Sequence, residues 1–134
     1  MMKVKLLACL MVVSAPALAH AECLGSVSKV KANAIKTTWR ETTENDGKPL
    51  TISIADGANG LVYSAKKAGA TWLTGNVSVC QSGDATEITL KDTQATSNVP
   101  VVARMGLPST QTAQIVNGQI KLDGGGWGGS FVGL

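Results

Sequence analysis

Few residues in this chain can do chemistry, and their types exclude more than they permit. The only imidazole is His20, and the only thiols are Cys9, Cys23 and Cys80. His20 lies in two overlapping small-x-small sites, Ala17-Leu18-Ala19 and Ala19-His20-Ala21. These follow Lys3, Lys5 and an apolar run from Val4 to Val13. That order of charge, apolar core and small residues is the pattern of a secretory signal peptide. The run is too short for the roughly 20 residues a membrane-spanning helix needs. Residues 1–21 are therefore expected to be removed, after Ala19 or after Ala21. Glu22 separates the cleavage site from Cys23, so no lipid-bearing cysteine follows directly, and the short charged start suits a bacterial envelope protein. A soluble periplasmic or secreted protein is expected.

Cleavage after Ala21 leaves no histidine, and cleavage after Ala19 leaves one at a loose terminus. Ser-His-Asp and Cys-His catalysis then lack their base. A histidine-built zinc or copper site lacks its ligands, so no metal and no cofactor are expected. Cys9 leaves with the signal peptide. Cys23 and Cys80 remain, an even number in an oxidising compartment, and should form one disulfide. A redox pair would want a C-x-x-C spacing, whereas these two are 57 positions apart. The carboxylates Asp56, Asp84, Glu87, Asp92 and Asp123 could in principle pair for acid–base work. Nearly all of them sit beside glycine or in turns, where Asp serves the backbone. With no nucleophile elbow and no acidic couple on one strand, the chain is read as a non-enzyme.

Three tryptophans offer binding chemistry instead. Trp39 lies in a strand-like stretch and is expected in the core. Trp72 shares parity with Thr74, Asn76 and Ser78, opposite Leu73, Val77 and Val79. It should stand on a polar face unless Gly75 marks a bulge that switches sides. A face of indole, hydroxyl and amide groups would suit an amphipathic or carbohydrate ligand. An N-terminal arm pinned there by Cys23–Cys80 would explain the same pattern without one. Trp127 sits inside Gly124-Gly125-Gly126-Trp127-Gly128-Gly129. Glycine this dense costs backbone entropy. Two roles fit: a barrel corner where Trp127 and Phe131 plug the core, which is the preferred reading, or a lip that places the indole at a binding mouth. No helix follows to hold a phosphate.

The elements that must position these residues have a period of two. Leu50, Ile52 and Ile54 alternate with Thr51 and Ser53; Leu61, Tyr63 and Ala65 alternate with Ser64 and Lys66. Leu73, Val77 and Val79 share one parity, and Ile88 and Leu90 alternate with Glu87, Thr89 and Lys91. Turn signals fall between them at Asn45-Asp46-Gly47, residues 56–60, Lys67-Ala68-Gly69 and Ser82-Gly83-Asp84. Asn117-Gly118 predicts a two-residue type I′ hairpin, with Ile115 facing Ile120 and Ala113 facing Leu122. Residues 24–36 permit either a short helix starting at Ser26 or an extended arm. Pro100 and Pro108 limit residues 93–109 to an edge strand or a loop.

The length of 134 residues, 44% apolar and 16% charged, fits one globular domain. Twelve basic and nine acidic residues give +3, and loss of Lys3 and Lys5 leaves +1, which is no nucleic-acid footprint. The expected organisation is a signal peptide at 1–21 and a single β-domain at 22–134. That domain should be all-β, a small antiparallel barrel or sandwich of seven to nine strands with one disulfide.

Asn59-Gly60-Leu61-Val62-Tyr63, followed by Trp72-Leu73-Thr74-Gly75, resembles the S-G-x-x-Y and W-x-x-G elements of the periplasmic c-type lysozyme inhibitors, which are small disulfide-bridged barrels. Asn59 stands where that family has serine, and residues 81–134 run past the family's usual end. The resemblance implies a protein-inhibitor role in which Asn59 and Tyr63 meet the target.

Two binding roles follow, with no nucleic-acid partner and no transmembrane segment expected in the mature chain. The first is a barrel holding a small apolar or amphipathic ligand, with Trp72, Trp127, Tyr63 and Asn59 as its candidate contacts. The second is a module that contacts an envelope protein, including inhibition of a hydrolase. The first needs an internal cavity with Trp or Met at its mouth. The second needs a filled core and an exposed constellation.

Overall fold

Alternation along the strands puts one side of each inside, and the residues that share the apolar parity are the buried ones: Leu50, Ile52 and Ile54; Leu61, Tyr63 and Ala65; Leu73, Val77 and Val79; Ile88 and Leu90. The computed structural model describes residues 22–42, 48–124 and 127–134. The expected signal peptide with Cys9 and His20, the turn expected at Asn45-Asp46-Gly47, and Gly125 and Gly126 lie outside the described residues. Within them run β1 (Glu22–Cys23), α1 (Val27–Ala32), β2 (Thr38–Glu41), β3 (Leu50–Gly57), β4 (Gly60–Lys67), β5 (Ala70–Ser82), β6 (Ala85–Ala95), α2 (Val101–Arg104), β7 (Gln111–Gln114), β8 (Gln119–Leu122) and β9 (Gly129–Gly133).

All strand pairings are antiparallel, in the order β7-β6-β5-β4-β3-β2-β9-β8, with β1 added beside β5. The two ends of this order meet again at the bridge Val116↔Gln119, so the sheet curls into a nearly closed eight-stranded barrel. The all-β expectation holds, and of the two architectures it allowed, barrel or sandwich, the barrel is the one present. Eight strands leave an interior just wide enough for side chains to fill. Trp39, Phe131, Ile88, Val79 and Val99 fill it, each at most 1% exposed.

The Asn117-Gly118 turn forms with φ of 53° and 75°, closed by Val116 N–H to Gln119 O at 2.9 Å and Gln119 N–H to Val116 O at 3.0 Å. The predicted hairpin ladder does not continue beyond that bridge. β7 pairs with β6 and β8 with β9, so the two strands part and form the seam of the barrel. Ala113, Ile120 and Leu122 are nevertheless buried, and Ile115 packs against the core.

At one end of the barrel lie α1, the β3–β4, β5–β6 and β7–β8 turns and the disulfide. Ser26 caps α1 through its hydroxyl, and the Val27 N–H donates to Asp56 Oδ1 at 2.8 Å. Val30 is completely buried, so the helix stops this end. Of the two readings of residues 24–36, the helix is present. Cys23 faces Cys80 across the β1–β5 pair and is bonded to it. At the other end lie the β4–β5 turn, residues 96–110 with α2, and the segment before β9.

Two irregularities shape β5. Between Thr74↔Gln94 and Asn76↔Lys91, β5 has only Gly75 while β6 has Asp92 and Thr93, so the bulge beside Gly75 belongs to the partner strand. Leu73, Gly75, Val77 and Val79 therefore keep one side. A second shift leaves Trp72 unmatched between Ala65↔Leu73 and Lys66↔Thr71.

Candidate functional site

The four residues singled out for binding do not form one site. Trp72 and Trp127 come together at the α2 end, with ring centroids 6.1 Å apart and planes inclined by 62°. The Lys67 ammonium stands 5.2 Å over the Trp72 ring. The arm held by Cys23 and Cys80 lies at the far end of β5, so it is Trp127 that meets Trp72, and not the N-terminal arm.

Trp127 precedes β9 instead of lying in it, and its N–H bonds Gly124 O at 3.0 Å. Any side chain at Gly128 would collide with the Leu122 carbonyl and the Gly124 backbone, so glycine there permits the close turn that delivers the indole. The Trp127 Nε1–H donates to Ala103 O at 2.8 Å. Arg104 braces the same segment, with Nε donating to Val99 O at 3.1 Å and Nη2 to Thr96 O at 3.3 Å. Trp127 is thus partly buried and structural on one side, packing against the core while holding α2.

What these contacts hold up was not foreseen. Val101, Val102 and Met105 are 75%, 76% and 76% exposed, three large apolar side chains around one short helix. The only sequence signal for them is an apolar stretch between two prolines, which reads equally well as a loop.

Tyr63 is 3% exposed and turned into the barrel, where its hydroxyl shares a hydrogen bond with Thr93 Oγ1. Burial pushes its phenol pKa above the usual value, and the Thr93 bond opposes that shift. Asn59 is exposed at the β3–β4 turn. The pair implied by the lysozyme-inhibitor resemblance is therefore split between interior and surface, and Tyr63 has no face to offer a target. Asn59 instead lines an open cleft of about 380 Å³ on the outside of the barrel, with Asn76, Ser78, Lys91 and Asp92. A second groove of about 440 Å³ runs over the outer face of β3, β4 and β5. Among the described residues, no three His, Cys, Asp or Glu side chains cluster as metal ligands would.

No family model matches this chain, and no curated protein and no solved structure matches it either.

Proposed function

We propose that this chain is a non-enzymatic binding domain of the periplasm or extracellular space, delivered there by residues 1–21, and that it acts by contacting another protein through the α2 end of its barrel. The disulfide is compatible with such a compartment, and no described helix is long and apolar enough to cross a membrane. The observation that carries the reading is the exposed trio Val101, Val102 and Met105, held in place by Trp127 and Arg104. Contiguous apolar side chains on a braced surface mark contact sites. The filled interior favours this role over a barrel that stores a ligand, because Trp39, Phe131, Ile88 and Val79 occupy the space a ligand would need.

The test is cross-linking in the native envelope with wild type and a V101S/V102S/M105S variant. These positions are solvent-facing, so the variant should keep its melting temperature. It should lose its specific cross-linked partner. Undiminished capture of the same partner sinks the proposal, and a stoichiometric small ligand in native mass spectrometry would favour the storage role.

A further inference from the structure

We infer that the barrel opens along the seam between β7 and β8, and that the α2 surface is intact only while the seam is closed, so that a partner bound there holds the barrel shut. The partner clause rests on the function proposed above; the opening of the seam does not.

The seam is the weakest line in the sheet. Continuing the register of the Val116↔Gln119 bridge would pair Gln114 with Lys121 and Thr112 with Asp123. Among the described residues neither pair forms: β7 is paired only with β6, and β8 only with β9. Two strand edges therefore face each other unzipped, although the turn that joins them has the geometry of a tight hairpin. The backbone bonds that cross between them, among the described residues, are those of the bridge itself, at 2.9 and 3.0 Å.

A polar atom without a partner lies in the same seam. The Gln111 side chain reaches from β7 to Gly124, just past β8, where a Cβ would collide with its carboxamide. The Gln111 Oε1 is buried and accepts no hydrogen bond among the described residues. A buried acceptor with no donor disfavours the closed seam relative to an open one in which water reaches it. On the β7 side, closure is favoured by little more than the small Ala113 and the partly buried Ile115. Short strands, few bonds and an orphaned acceptor are the conditions for local opening well below the cost of global unfolding.

The α2 surface is tied across this line. Helix α2 belongs to the connection between β6 and β7, whereas Trp127 belongs to the connection between β8 and β9. The bond from Trp127 Nε1–H to Ala103 O therefore joins one lip of the seam to the other. Separation of β7 from β8 pulls on that tie and removes the brace beneath Val101, Val102 and Met105. A partner that recognises the braced trio binds the closed barrel better than the open one and shifts the population towards it. By reciprocity, a change that closes the seam strengthens the partner's binding.

Thiol labelling of the native protein tests the opening. Ala113 and Ala65 are both buried in the barrel, Ala113 beside the seam and Ala65 in β4 with a strand paired on each side of it. Ala113→Cys should react roughly tenfold faster than Ala65→Cys, because local opening reaches it and only global unfolding reaches the other. If Ala113→Cys does not fold, Leu122→Cys on the opposite lip carries the same test. Gln111→Met keeps the shape of the side chain and removes the orphaned oxygen, so it should slow that labelling. It should also slow amide exchange at Ala103, Met105 and Leu107, whose N–H groups bond within the α2 segment. Equal labelling at positions 113 and 65, or labelling indifferent to Gln111→Met, would overturn the opening. Slower labelling with unchanged exchange around α2 would overturn the coupling. Both measurements use the protein alone, so they are decided independently of whether V101S/V102S/M105S loses its cross-linked partner.

Discussion

Tyr63 and Gly75 face each other across β4 and β5, and the phenol ring occupies the space that a side chain at position 75 would need. A Cβ built on Gly75 would lie 2.7 Å from Tyr63 Cε1 and 2.6 Å from the carbonyl oxygen of Lys91. The ring could rotate away at a cost, but the Lys91 carbonyl belongs to the bulged strand and has little freedom. Gly75→Ala should therefore destabilise by about 1–3 kcal/mol, the range for overpacking a filled core. Chemical denaturation measures this, and an unchanged midpoint would show that the bulge can absorb a methyl group.

The same tyrosine gives a pH prediction. Its folded pKa lies above the unfolded value of 10.0 because burial disfavours the phenolate. A raised folded pKa means the contribution of Tyr63 is complete below the unfolded pKa and is lost as pH rises through the folded one. Above pH 10.0 the unfolded chain releases a proton that the folded chain keeps, so stability must fall. Tyr63→Phe should flatten that alkaline decline. At neutral pH it should cost about 1 kcal/mol for the lost bond to Thr93. Melting curves of the two proteins across the alkaline range decide it.

Strand parity was legible because each buried position alternates with a polar one, and a one-residue slip would expose a whole apolar set. Leu50 to Ile54, Leu61 to Ala65 and Ile88 to Leu90 needed no tertiary information. The α2 end was opaque for the opposite reason. Val101–Arg104 is a single helical turn, too short to show a period, and its helix ends against contacts from Trp127 that are remote in sequence. What meets Trp72 is hidden for a related reason: Trp127 lies beyond β8, and no local pattern links the two. The parting of β7 from β8 is likewise set by their pairing with β6 and β9, and not by the Asn117-Gly118 turn that joins them.

The disulfide should matter more than its exposed position implies. β1 is two residues long and would fray from β5 without a covalent tie. The bond closes a loop spanning 57 positions, for which chain entropy predicts roughly 4 kcal/mol. A Cys23→Ala/Cys80→Ala variant should melt well below wild type, and protease should cut first in the freed arm. Equal melting temperatures would mean that α1, through Val30 and the Asp56 cap, holds the arm unaided.

Trp127 separates anchoring from plugging. Trp127→Phe keeps a ring beside Trp72 but removes the donor to Ala103 O, so it should cost about 1 kcal/mol. The effect should be local, with faster amide hydrogen exchange at Ala103, Arg104 and Met105 and little change in the strands. Trp127→Ala also forfeits the edge contact with Trp72, worth about 0.5–1.5 kcal/mol in such pairs, together with partial apolar burial. Its total should still fall below the roughly 3–5 kcal/mol expected for truncating the fully buried Trp39. A single-tryptophan protein retaining Trp127 should show quencher access between that of Trp39 and that of a free indole. If Trp127→Phe left exchange around α2 unchanged, the indole would not be what holds Val101, Val102 and Met105 at the surface, and Arg104 alone would have to brace them.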